Sequence, residues 1–203
     1  VRNGNASAHP FSLSAVGTRI NEEPYWRDVG TIDAYWDANI DLTATVPKLD
    51  LYDTSWPIWT YQPQLPPAKF VHDHGDRRGM AIESLVSGGC IVSGEVRRSV
   101  LYSGVRVHSH AKVQLSVLLP DVQVGRGARL SKVIVDRGCM IPDGMVIGED
   151  AELDAARLLA TVSRTHGVMP DKYEVTKAKD GSDRIRCGRR NLNVTDFLTQ
   201  ELH

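Results

Sequence analysis

SVLYSGVRVHSHAKVQL (99–115), SVLLPDVQVGRGARLSK (116–132) and VIVDRGCMIPDGMVIGE (133–149) are three consecutive blocks of 17 residues whose apolar positions fall in columns. Val100, Val117 and Ile134 share one column, and Leu101, Leu118 and Val135 the next. Val105, Val122 and Cys139 form another, as do Val107, Val124 and Ile141, and Val113, Leu130 and Ile147. A shorter rung, SLVSGGCIVSGEVRR (84–98), precedes them. Self-similarity at a fixed short period is the signature of a solenoid. Brief β-branched segments set off by Gly, Ser, Asp or Pro make very short strands with tight corners. An amphipathic helix would need a period of about 3.6, and the many glycines would weaken it. Each block therefore reads as one triangular coil of three strands whose inward residues fill a narrow core. A single coil cannot bury its own apolar face, so the coils must stack. The expected fold is mainly β, a parallel β-helix over residues 82–149.

Outward from the repeat the chain is less regular. Residues 45–81 read as a connector, because Pro47, Pro57, Pro63, Pro66 and Pro67 forbid a regular helix. Within it, VHDHGDRRG (71–79) reads as a polar, exposed loop. In residues 1–44, Val1 to Glu23 is loop-like, with Asn, Gly, Ser and Pro scattered through it. TIDAYWDANIDL (31–42) then turns helical: Thr31 is a fitting N-cap, and Ile32, Tyr35, Trp36, Ile40 and Leu42 approach helical spacing. Beyond the repeat, EDAELDAARLL (149–159) reads as a helix, and the rest of residues 150–203 as an unassigned basic tail.

Bulk properties narrow the function classes. A net charge of -1 gives no lopsided field for nucleic acid or an anionic membrane surface. No apolar run approaches the ~18 residues of a transmembrane helix. Val1 to Pro10 lacks the basic-then-apolar order of a secretion signal. Cys90, Cys139 and Cys187 have no metal-ligand spacing and read as reduced thiols, so a cytoplasmic location is expected.

Several motifs carry a family resemblance. YWRDVGT (25–31), followed by IDAYW (32–36), resembles the signature that closes the catalytic domain of ADP-glucose pyrophosphorylases, the glucose-1-phosphate adenylyltransferases. AHPF (8–11), LPPAKF (65–70), LVSGG (85–89) and IPDGMVIG (141–148) resemble bacterial members in the same order and spacing. The resemblance covers about residues 8–158. It implies that residues 1–44 are the C-terminal remnant of an α/β nucleotidyltransferase domain. Likeness to hexapeptide-repeat proteins implies that the β-helix is left-handed.

For chemistry, the resemblance implies transfer of an adenylyl group from ATP to glucose 1-phosphate, giving ADP-glucose and pyrophosphate for glycogen synthesis. Catalysis in such enzymes is mostly positioning plus neutralisation of phosphate charge by Mg²⁺ and basic side chains. Asp28 matches the family's C-terminal metal-binding aspartate, and a carboxylate suits Mg²⁺, which prefers hard oxygen ligands. Without the resemblance, an Asp ahead of Gly-Thr reads as a turn former or cap. Trp26 matches a residue of the sugar-phosphate pocket, where an indole can pack on a pyranose. Trp36 and Trp56 read as packing residues, and Lys69 as a domain-contact residue. Arg137 matches a position tied to regulation by sugar phosphates and AMP, and its planar fork suits phosphate. A corner residue paired with Asp136 or Asp121 is its other reading. The resemblance also implies a homo-tetramer.

The chain departs from the family pattern at both ends, and the family's C-terminal closing strand is not recognisable after Arg157. No Gly-rich loop of the form G-G-x-G-[ST]-R-L-x-P-L-T precedes residue 8. GRGARL (125–130) is only superficially like it, since it falls inside a repeat block and puts Leu130 in an apolar column. The partner carboxylate for Asp28 and the sugar-phosphate lysine region are not recognisable either. The expectation is a C-terminal part, from a truncated or frameshifted frame, inactive by itself. Two other readings compete. One is a hexapeptide-repeat acyltransferase using His108 or His110 as base; the other is a non-catalytic assembly module. His72 and His74, flanking Asp73, read as solvent-exposed residues rather than a metal site.

Overall fold

A computed structural model describes residues 7–13, 24–54, 57–150, 152, 154, 173–177 and 183–187. Its body is a three-faced parallel solenoid, the left-handed β-helix of hexapeptide repeats. The first face stacks Lys69–Phe70, Ile91–Val92, Arg106–Val107, Gln123–Val124 and Met140–Ile141. The second stacks Met80–Ile82, Glu95–Arg97, Lys112–Gln114, Arg129–Ser131 and Val146–Ile147. The third stacks Leu85–Val86, Val100–Leu101, Val117–Leu118 and Ile134–Val135. Pairing sets Val117 opposite Val100 and Ile134, Leu118 opposite Leu101 and Val135, and Val124 opposite Val107 and Ile141. Four of the five repeat columns of the sequence are therefore ladders of the sheets, and the fifth, Val105, Val122 and Cys139, lies at the corner just before the first face.

The core is a thin prism filled mostly by valine. Val92, Val96, Leu101, Val105, Val107, Val113, Leu118, Val122 and Val124 are all essentially inaccessible. Each such side chain contributes about 1.5–3 kcal/mol by leaving water. The first full coil is two residues shorter than the others because it turns from the first face to the second through Ser93 and Gly94 alone. That economy requires glycine: a Cβ at Gly94 would lie 2.4 Å from the Ala111 carbonyl oxygen of the next coil. At the corner between the second and third faces, Glu83, Arg98, Leu115 and Lys132 all take positive φ. The residue after each of the first three is serine, and the hydroxyls form a ladder. Ser84 Oγ accepts from Ser99 N, Ser99 Oγ from Ser116 N, and Ser116 Oγ from Val133 N. Ser99 and Ser116 are wholly buried, so the ladder satisfies amides that the tight corner cuts off from solvent.

The sequence reading needs amendment in four places. The solenoid begins ahead of residue 82, because Lys69–Phe70 and Met80–Ile82, inside the stretch read as a connector, already belong to two faces. VHDHGDRRG is exposed as expected, but it is an antiparallel ribbon pairing Asp73–His74 with Arg77–Arg78 rather than a loop. The column Val100, Val117, Ile134 faces away from the prism and is covered from outside by a helix. In the basic tail, Tyr173–Lys177 and Asp183–Cys187 pair as antiparallel strands. Of the helix expected over 149–159, Glu149 and Asp150 lie outside any helix, Glu152 and Asp154 are helical, and the remainder falls outside the described residues, as does Trp56.

Candidate functional site

The helix that covers the third face, α1 (Ile32–Asp41), starts where the sequence places it. Thr31 is extended (φ -118, ψ 158) and its Oγ1 accepts from Ala34 N at 3.1 Å, satisfying a first-turn amide. Tyr35, Trp36 and Ile40 pack against Leu85, Val100, Tyr102, Leu115, Val117 and Ile134 of the solenoid. Trp36 Nε1 donates to the Leu115 carbonyl at 2.8 Å, and Tyr102 Oη donates to Asn39 Oδ1 at 3.3 Å. Trp36 is thus the packing residue the sequence suggested, with a directional bond added.

Tyr102 carries a pH consequence. Burial, reinforced by its contact with Tyr35, raises its pKa well above the ordinary 10.0 of a phenol. A group whose folded pKa is raised contributes stability that is complete below its unfolded pKa and is lost as pH climbs above it. The seat of α1 should therefore weaken as pH passes about 10. Urea unfolding at about pH 8 and about pH 11 is expected to show a smaller alkaline loss in Tyr102→Phe than in the parent. Equal losses would mean that Tyr102 ionises freely in the fold.

Just before α1 lie the two residues that the sequence assigned to substrate and metal. Asp28 is exposed, and its Oδ1 accepts from Gly30 N at 2.9 Å, closing a small turn. A Cβ at Gly30 would lie 3.1 Å from that oxygen, so glycine keeps the turn unstrained. Trp26 is 78% exposed, and its ring meets Phe11 edge-on, with centroids 5.4 Å apart at 82°. This contact joins two motifs, AHPF and YWRDVGT, that the sequence read separately. Arg27 forms an ion pair with Asp41 at the far end of α1. Among the described residues no cluster of three or more potential metal ligands exists.

Arg137 stands elsewhere, on an exposed corner between the third and first faces of the last coil. Its backbone amide donates to Asp136 Oδ1 at 2.7 Å, and its guanidinium forms no ion pair among the described residues. His108 and His110 are exposed corner residues, with His110 at positive φ, and only short corners join the strands around them. His72 contacts Arg77, and Asp73 pairs with Arg78 at 2.6 Å. Lys69 sits exposed on the first strand of the first face. Gly125 to Leu130 runs through a solenoid corner into a strand, with Leu130 buried, which removes it as a nucleotide loop. Cys90 and Cys139 are buried and form no disulfide, and burial pushes the Cys90 thiol up in pKa. The feature sequence reasoning missed was the docking of α1.

Comparisons with known proteins bear on both parts of the chain. The family described as GlmU-like, C-terminal hexapeptide matches residues 66–169. Glucose-1-phosphate adenylyltransferase of Albidiferax ferrireducens is 66% identical over 158 residues, covering 77% of this chain and 37% of the relative. The enzymes of the same name from Bradyrhizobium diazoefficiens and Rhizobium johnstonii are 60% and 59% identical over 162 and 164 residues. Each of these two covers about 80% of this chain, which in turn spans 39% of each. The chain thus spans under two-fifths of the length of these curated relatives.

Proposed function

Because the chain belongs to the GlmU-like C-terminal hexapeptide family, we propose that it is the C-terminal part of a glucose-1-phosphate adenylyltransferase. In the intact enzyme it would supply the β-helix and the last segment of the active site. The observation that carries this reading is the 66% identity to the Albidiferax ferrireducens enzyme, far above what a shared solenoid alone would produce. The reaction joins ATP and glucose 1-phosphate to give ADP-glucose and pyrophosphate.

The chain's own residues have definable tasks in that reaction. Asp28 presents a carboxylate oxygen of the hard type that Mg²⁺ favours, and Mg²⁺ is commonly held by one or two carboxylates together with substrate phosphates. Asp28 fits as one such ligand, and the others would come from the rest of the intact enzyme. When bound, Mg²⁺ would neutralise phosphate charge as pyrophosphate departs. Trp26 offers an exposed indole face on which a pyranose can stack. Arg137 is the candidate contact for a phosphate-bearing effector, its guanidinium open to a bidentate pair. A cytoplasmic homo-tetramer, with sugar phosphates and AMP as effectors, completes the proposal.

The test is a chimera in which this chain replaces the matching part of the Albidiferax ferrireducens enzyme. Pyrophosphate release that requires ATP, glucose 1-phosphate and Mg²⁺ together is the expected result. A chimera that folds and melts cooperatively but releases none would overturn the reading.

A further inference from the structure

The contacts around α1 form an unbroken series from the solenoid to Asp28. Trp36 Nε1 donates to Leu115 O at 2.8 Å, and Leu115 is a positive-φ corner residue whose carbonyl is turned out of the sheet ladder. Tyr35 N donates to Thr31 O at 2.9 Å, and Ala34 N to Thr31 Oγ1 at 3.1 Å, fixing the start of the helix to its cap. Gly30 N donates to Asp28 Oδ1 at 2.9 Å, fixing the carboxylate to the residues just before the cap. On the other side of Asp28, Arg27 is tied by an ion pair to Asp41, the last residue of α1. Asp28 is therefore bracketed: both of its flanks are secured to the same helix, which is itself secured to the β-helix.

Apolar packing alone would let α1 slide or rotate on the third face, because dispersion and burial are non-directional. Tyr35 and Ile40 provide that adhesive contact. The indole bond is the directional element, and it lands on a backbone carbonyl whose place is set by the coil itself. Asn39 accepts from Tyr102 one turn along the helix and adds a second fixed point.

We propose that Trp36 is a positioning residue for Asp28, with its indole N–H registering the metal-binding segment on the Leu115 corner of the β-helix. The β-helix then sets the geometry of the reacting centre. This inference rests on the functional reading given above for the role of Asp28, but not for the docking itself.

Trp36→Phe removes the N–H and keeps an aromatic ring, and it is tested in two ways. In the full chain, with Cys187→Ser as background, spin labels are placed at Val29→Cys and Lys112→Cys, both exposed in the parent. Pulsed dipolar spectroscopy is expected to give one narrow distance in the parent and a clearly broadened or shifted one in Trp36→Phe. Equal widths, or a parent already broad, would overturn the positioning role. In the chimera, Trp36→Phe is expected to lower kcat about tenfold and raise the Mg²⁺ needed for half-maximal rate, leaving the KM for ATP nearly unchanged. A merely structural role would reduce the amount of active enzyme and leave the Mg²⁺ requirement alone. Should the parent chimera be inactive, the functional reading fails by itself, while the distance measurement still decides whether Trp36 fixes the segment.

Discussion

Leu118→Ala is expected to cost the chain about 2–5 kcal/mol, and the upper half of that range is favoured by the shape of the core. Leu118 is wholly buried, with Leu101 opposite it in one neighbouring coil and Val135 in the other. The cost of such a truncation has two parts, the lost transfer of the removed atoms and the cavity they leave. How much of the second part is recovered depends on whether neighbours can move in. Here they cannot move far: the Leu118 strand is hydrogen-bonded in register on both sides, and its coil is held by ladders on the other two faces as well. The void therefore persists. In a stacked fold a weakened coil also loosens its contacts with the coils on either side, so the damage is felt at two interfaces. Urea unfolding of the parent and variant measures the effect directly. A loss under about 1 kcal/mol would mean that the prism is packed more loosely than its burial indicates.

The neighbouring residue explains why part of the fold was legible and part was not. On the second face the strands EVR, KVQ and RLS alternate, and their inward positions could be read off the sequence directly. On the third face, Val100–Leu101, Val117–Leu118 and Ile134–Val135 are apolar at both positions. Adjacent residues in a strand point to opposite sides, so two apolar residues in succession mean that both sides are covered. That signal for the docking of α1 was present in the sequence but indistinguishable there from a generic buried strand. The serines at 84, 99 and 116 headed the repeat rungs visibly, yet their use as corner acceptors depends on a positive φ that no pattern announces. The Asp73–Arg78 ribbon was hidden by its composition, since a strand pair with both faces exposed has no hydrophobic alternation to reveal it. For the site, the motif placed Trp26 and Asp28 on one segment. What brought Phe11 against Trp26 and Arg27 to Asp41 was tertiary geometry, invisible in the linear chain.

Asp28 has one structural role in the fold and one proposed role toward a metal, and a pair of substitutions separates them. One carboxylate oxygen accepts from Gly30 N and shapes the turn that leads into α1; the charge is what a Mg²⁺ ion would use. Asp28→Ala removes both. In the chimera it is expected to lower kcat by about 100-fold or more, equivalent to at least about 2.7 kcal/mol of transition-state stabilisation. Asp28→Asn keeps an acceptor oxygen for Gly30 N but lacks the charge. If the metal role is correct, Asn should be nearly as damaging as Ala, and activity in both should recover partly at high Mg²⁺. If the turn is what matters, Asn should restore most of the rate and the Mg²⁺ requirement should stay at the parent value. The second outcome would leave Asp28 as a helix-entry residue and move the metal site wholly into the part of the enzyme that precedes it. Trp26→Ala supplies the contrast: loss of a stacking surface should raise the KM for glucose 1-phosphate more than it lowers kcat, because stacking binds ground state and transition state alike.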